Sequence, residues 1–259
     1  MTFGSLFAGI GGIDLGLERA GMTCAWQSEI DEYACGILSS HWPDVPRHGN
    51  VRGLTAKELT PVDLIAGGFP CQDISHAGKR AGLSGSRSSL WWEMGRAIRL
   101  VRPKHVLVEN VAALLVRGMG TVLGDLAESG YDTEWDCIPA AAVGAPHIRD
   151  RIFVVAYADA SGRREDIGDL LPRERDSAWR GKDVADAAGT GLEVWSDPEG
   201  LRQFAATVGA RQWAVEPDVG RVADGVPARV DRLRTLGNAV VPQVAEFIGH
   251  MILARTDAA

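Results

Sequence analysis

Short apolar runs and helix-spaced apolar positions alternate along the first 157 residues, which predicts an α/β domain on a mostly parallel sheet. Six runs read as strands, at residues 2–7, 23–28, 63–66, 105–109, 133–138 and 152–156. Between them, residues 13–20, 31–39, 90–101 and 121–129 carry apolar side chains at the spacing of an amphipathic helix. The pattern breaks near Tyr157, after which Gly, Asp, Arg and Pro become dense and apolar runs shorten. Periodicity resumes at residues 240–253, where Val240, Val241, Val244, Phe247, Ile248, Met251 and Ile252 share one broad helical face. The chain therefore divides into a main domain at 1–157, a small inserted module at 158–212 and a return segment at 213–259. The last helix is expected to pack back on the main domain, making the two ends of the chain neighbours.

Composition adds little to this picture but excludes several classes. With 259 residues, 46% of them hydrophobic and 24% charged, the chain is long enough to bury a full core. A net charge of −7 argues against a uniformly positive surface, although nucleic-acid binding needs only a local basic face. Of 27 basic residues only Lys57, Lys79, Lys104 and Lys182 are lysines. Arginine thus supplies nearly all positive charge, as suits bidentate phosphate or guanine contacts, although a GC-rich genome produces the same bias. No basic stretch precedes an apolar core at the amino terminus, and no apolar segment reaches the roughly 20 residues of a membrane span. A soluble, cytoplasmic protein without a membrane partner is expected. Cys24, Cys35, Cys71 and Cys137 lie far apart with no Cys-x-x-Cys pair, so neither a metal site nor a disulfide framework is indicated.

The candidate chemistry sits where predicted strands end. Phe7-Ala8-Gly9-Ile10-Gly11-Gly12 joins the first strand to the first helix, so its glycines can let backbone amides approach a ligand. Glu29, 17 residues after Gly12, ends the second strand, where an acid accepts hydrogen bonds from ribose hydroxyls in dinucleotide-type folds. Asp63-Leu64-Ile65-Ala66-Gly67-Gly68-Phe69-Pro70-Cys71-Gln72 runs from strand into turn and puts Cys71 at the carboxyl edge of the sheet. Cys24, Cys35 and Cys137 sit in apolar patterns and read as core residues. Cys71 has Asp73, Ser75, His76, Lys79 and Arg80 nearby, a net basic setting that favours thiolate. Glu109 ends another apolar strand at the same edge, where a partly desolvated carboxyl can stay protonated and donate. Arg149 and Arg151 lie two apart, hence on one face of an extended chain.

In this order, the glycine loop, Glu29, Pro70-Cys71-Gln72, Glu109-Asn110-Val111, Arg149-x-Arg151 and Gly237-Asn238-Ala239-Val240-Val241-Pro242 resemble the motif series of DNA cytosine-5 methyltransferases. The resemblance covers residues 2–157 and about 213–254. It implies a Rossmann-like S-adenosylmethionine-dependent methyltransferase fold, a catalytic domain at 1–157 and a target-recognition module at 158–212. On this resemblance Phe7, Ala8, Gly9, Gly11, Gly12 and Glu29 bind S-adenosylmethionine, as do Ile30, Asn50, Val51, Pro70, Leu90, Asn238 and Ala239. Gln72, with Pro70, shapes the turn around Cys71, while Ser75, Lys79 and Arg87 face DNA. The sequence departs from the family at Ile30, where an aromatic residue is common, and at Asn50, where Asp usually contacts the adenine amino group. His147 replaces a frequent Gln before the arginine pair, and the motif before the last helix is poorly preserved around residues 222–236.

The resemblance further implies that Cys71 adds to C6 of a flipped-out cytosine and Glu109 hydrogen-bonds N3. Arg151 would then hold O2, and Arg149 orient the thiolate or a phosphate. Duplex DNA as partner, a monomeric enzyme and a place in restriction-modification complete the expectation. An RNA cytosine-5 methyltransferase on the same scaffold is the nearest rival, and a non-catalytic nucleic-acid-binding protein is another. A nicotinamide oxidoreductase would explain the glycine loop but not Pro70-Cys71-Gln72.

Overall fold

A computed structural model of the chain describes residues 1–70, 89–145, 147–158, 200, 203–209 and 235–257. Its centre is a seven-stranded sheet in the order β3-β2-β1-β4-β5-β7-β6. Strands β1 (Thr2–Leu6), β2 (Thr23–Ser28), β3 (Arg47–His48), β4 (Leu64–Gly67) and β5 (His105–Val111) are parallel neighbours. β7 (Asp150–Ala158) inserts antiparallel between β5 and β6 (Tyr131–Pro139). All four residues of β4 and the first six of β5 are buried, because helices cover both faces and leave no solvent side to call for alternation. The six strands expected from the sequence are all present, whereas two-residue β3 is too short to carry a period.

One face of the sheet is packed by α3 (Ser89–Val101) and α5 (Met119–Glu128), whose Met94, Ile98, Val122 and Leu126 meet Leu6, Ile65 and Val106. α4 (Leu114–Arg117) leads into α5. The other face is packed by α1 (Gly12–Arg19) and α6 (Pro242–Asp257), with Ile13, Leu17, Val244, Phe247 and Ile248 against Phe3, Leu64 and Leu107. α2 (Glu32–His41) opens on an Asp31 cap whose side chain accepts from the Ala34 amide. Most of residues 158–212, expected from the sequence to form an inserted module, lie outside the described residues. Phe204, near its end, packs its ring 5.6 Å from that of Phe247 on α6.

α1 and α6 approach closely because the contact is lined with small residues. A Cβ built on Gly16 would lie 2.3 Å from the Pro242 carbonyl oxygen and 2.5 Å from Ala245 Cβ. No side-chain rotation relieves a clash with backbone, so Gly16→Ala must push the return helix away. We expect a loss of about 1–3 kcal/mol in urea unfolding, overpacking outweighing the gain in helix propensity. Unchanged stability would mean that this contact is slack.

Topology fixes where a ligand can sit. The chain leaves β1 toward β2 and β3 on one side and reaches β4 and β5 on the other, so the loops at the carboxyl ends of β1 and β4 part. Open α/β sheets bind ligands in that crevice.

Candidate active site

A cavity of about 800 Å³ opens at this switch point, bordered by the loops after β1, β2, β4 and β5 and by the return segment before α6. Such a volume falls in the range of small-molecule and cofactor sites. Every described residue expected to bind the cofactor borders it except Gly11.

The structure separates the three glycines of the first loop. Gly9, at φ 56°, faces open space, with nothing within 4 Å of a Cβ built there. Gly11 turns away from the cavity: its φ of 82° makes the turn into α1, and a Cβ there would lie 2.5 Å from the Trp42 ring. Gly12 borders the cavity yet also admits the return segment, since its Cβ would lie 2.3 Å from the Val240 carbonyl oxygen. Beneath the loop, buried Asp14 accepts from Ser5 Oγ at 3.0 Å and Gln27 Nε2 at 2.8 Å. Burial pushes its carboxyl up to about 6 against these hydrogen bonds.

Glu29 is fixed by backbone amides. Its Oε2 accepts from Gly9 N at 2.7 Å, and Oε1 accepts from Ile30 N and Asp31 N, each at 2.8 Å. A carboxylate has about four acceptor sites, so roughly one remains for a hydroxyl in the cavity. Beyond Glu29, Ile30 is 71% exposed at the cavity edge, leaving an aliphatic surface where the resemblance leads one to look for an aromatic ring. Asn50 Oδ1 accepts from Arg52 N at 3.0 Å and so caps the 3-10 turn Val51–Gly53, which keeps one of its lone pairs from a ligand. Arg96 on α3 secures that turn from below, donating to Val51 O at 2.9 Å and Leu54 O at 2.7 Å. Sequence reasoning missed Arg96, because its partners are more than 40 residues away and carbonyls carry no residue-type signature.

At the other end of the cavity stands an ion pair between buried Glu109 and half-buried Arg151. Arg151 Nε lies 2.9 Å from Glu109 Oε1. Burial nevertheless pushes the Glu109 carboxyl up to about 7, outweighing the opposing fields of Arg151 and Arg149. The turn after β4 makes room for this carboxyl, since a Cβ on Gly68 would lie 2.5 Å from Glu109 Oε2. Asn110 secures the same turn by donating Nδ2–H to Phe69 O at 3.0 Å, while its Oδ1 accepts from Val111 N at 2.9 Å. Pro70, next in the chain to Cys71, borders the cavity. Cys71, Gln72, Ser75, Lys79 and Arg87 lie outside the described residues.

Arg149 does not turn toward Glu109 as Arg151 does. Its Nη2 donates to Gly237 O at 2.8 Å and to Ala239 O, both in the return segment. Asn238, between them, and Ala239 border the cavity with Thr235 and Val240. The three described cysteines are free thiols. Burial is the main cause raising each of them above its ordinary range, so none is disposed to ionise.

A sheet of this order with a cofactor-sized cavity at its switch point is the Rossmann-like architecture of S-adenosylmethionine-dependent methyltransferases. Residues 1–186 match the family model of the C-5 cytosine-specific DNA methylase, and the chain belongs to that family. Among curated relatives it is 34% identical over 161 residues to the type II methyltransferase M.BsuFI of Bacillus subtilis, covering 61% of this chain and 39% of that protein. It is 32% identical over 183 residues to the type II methyltransferase M.NgoBI of Neisseria gonorrhoeae, covering 66% of this chain and 57% of that one. The chain thus spans about two fifths to just over half of these relatives' length. The fold is shared with the S. pombe Dnmt2 methyltransferase, at a TM-score of 0.63, 17% identity and 99% coverage of both chains. Among the described residues, no helix is long and apolar enough to cross a membrane.

Proposed function

We propose that the chain is a DNA cytosine-5 methyltransferase that moves a methyl group from S-adenosylmethionine to C5 of a flipped-out cytosine, with Cys71 as covalent nucleophile. The observation that carries this reading is the pairing of buried Glu109 with Arg151, which opens onto the same cavity that Glu29 borders at its far end. The donor set fits the cofactor. Glu29 can accept from a ribose hydroxyl, Asn50 borders the space for an adenine edge, and Phe7, Ile30, Val51 and Leu90 supply apolar wall. When bound there, S-adenosylmethionine supplies an electrophilic methyl on its sulfonium.

The protein's own residues supply what cytosine lacks. C5 is a weak nucleophile, and addition of the Cys71 thiolate to C6 forms an S–C6 bond while shifting electron density through the ring onto C5. A protonated Glu109 donates to N3 as charge builds there, and Arg151 both orients Glu109 and offers N–H groups to O2. The C5–methyl bond would form as the sulfonium S–CH3 bond breaks and S-adenosylhomocysteine leaves. A water then removes the C5 proton, and the electrons of that C–H bond re-form the C5–C6 double bond and expel Cys71 as thiolate, while N3 gives up the proton it shared with Glu109. C6 is unreachable in a stacked base, so flipping is required, at a cost of a few kcal/mol. In this reading the segment at 158–212 is the target-recognition module, the enzyme is a cytoplasmic monomer on duplex DNA, and restriction-modification is its setting.

The test is incubation of the full chain with tritiated S-adenosylmethionine and either duplex DNA or tRNA. Label recovered as 5-methylcytosine from the DNA is expected. Label in tRNA alone would move the substrate to RNA, and label in neither would overturn the reading.

A further inference from the structure

Two arginines two residues apart do different work in this structure. Arg151 faces Glu109, whereas Arg149 reaches across to a segment about 90 residues later in the chain, gripping the carbonyls on both sides of Asn238. It does so from a φ of 41°, a left-handed backbone that a non-glycine residue adopts only when its surroundings demand it. The gripped segment is wedged from the other side as well, because Gly12 leaves just enough space for the Val240 carbonyl. A small gap lined by Arg149, Arg151, Val240, Val241 and Val244 separates the two arginines from the start of α6.

We propose that Arg149 is a positioning residue that ties the Gly237-Asn238-Ala239 wall of the cofactor cavity to the strand carrying Arg151, rather than a ligand of the base or a phosphate. Resting on the function proposed above, it couples the two ends of the cavity. A ligand that orders the wall through Asn238 thereby also orders the start of β7, and with it the Arg151–Glu109 pair. Both carbonyls are held by the two N–H groups of one nitrogen, Nη2, fixed in the guanidinium plane, whereas a lysine ammonium is a freely rotating charge that ends short of that position.

The test uses the full chain and S-adenosylhomocysteine, with affinity read by calorimetry beside steady-state kinetics. Arg149→Met is expected to weaken S-adenosylhomocysteine binding about tenfold, with a smaller rise in KM for DNA. Arg149→Lys is expected to fall between it and the parent, and it decides the matter if the methionine variant does not fold. Asn238→Ala is expected to weaken binding less in the Arg149→Met background than in the parent, because both act through one wall. Unchanged S-adenosylhomocysteine affinity with a raised KM for DNA would overturn the positioning role and return Arg149 to the substrate. Additive effects of the two substitutions would overturn the coupling. Failure of the parent chain to bind S-adenosylhomocysteine would overturn the proposed function with it, so the two failures are separable.

Discussion

Cys71→Ser is expected to reduce methyl transfer to DNA by at least ~10³-fold while leaving S-adenosylhomocysteine affinity within about twofold. A serine hydroxyl stays protonated near neutral pH and adds poorly to a pyrimidine, whereas the carboxylate, amides and apolar walls of the cofactor cavity are untouched. None of the three described cysteines is disposed to take over, since burial raises the thiol of each. Cys24 is buried and its thiol is raised well above the ordinary range by desolvation and by the neighbouring Asp14 carboxyl. Cys137 is half-buried beside Asp136 and Asp150 and is raised as well. Cys137→Ser should therefore keep its activity and serve as the control. A second measurement reads the covalent step directly. With S-adenosylmethionine present, 5-fluorocytosine in duplex DNA can be methylated at C5 but has no C5 proton to lose, so the parent chain should form a complex with it that survives denaturing electrophoresis. The Cys71→Ser chain should form none. Undiminished methyl transfer by that variant, or a covalent complex formed by it, would remove Cys71 from the reaction.

How much of this was legible in the sequence depends on whether the controlling interaction is local. β4 and β5 could be found because strands covered on both faces read as unbroken apolar runs. α6 could be found because one of its faces is buried against α1, leaving a helical period. The antiparallel insertion of β7 could not, since strand direction is set by pairing partners and leaves no mark on composition. The glycine loop shows the same limit within six residues. Its spacing marks a strand-to-helix turn, but only the fold reveals that Gly9 faces the cavity, Gly11 faces Trp42 and Gly12 faces Val240. Glu109 stood out as an acid ending an apolar strand. That Gly68 shapes its niche and Asn110 ties the neighbouring turn is a matter of contacts more than 40 residues apart. The sequence put Arg149 and Arg151 on one face and pointed both at the substrate, whereas the grip of Arg149 on the return segment goes with a left-handed backbone that no residue type announces.

Glu109→Gln is expected to lower kcat about 10²–10³-fold with cofactor affinity almost unchanged, the range usual for loss of a positioned acid. The reason lies in the protonation state. Burial raises the carboxyl from its ordinary 4.5 to about 7, so near neutrality a sizeable fraction is protonated and able to donate to N3. In the parent chain, kcat/KM for DNA should therefore have a limb that falls as pH rises through about 7, opposed by the thiolate of Cys71, which forms as pH rises. Glutamine cannot titrate, so the falling limb should vanish from the variant. Stability gives an independent reading. A carboxyl that binds its proton more tightly in the folded than in the unfolded chain stabilises the fold below pH 4.5 and loses that contribution as pH rises to about 7. The shift corresponds to ~3 kcal/mol, so between pH 4.5 and 8 the variant should gain up to about that much relative to the parent. Its amide oxygen can still accept from Arg151, whose Nε lies 2.9 Å from the carboxylate it replaces, so the arginine is not stranded. Loss of cofactor binding in Glu109→Gln would put this carboxyl at the wrong end of the cavity. A falling limb that persists would assign the titration near neutrality to another group.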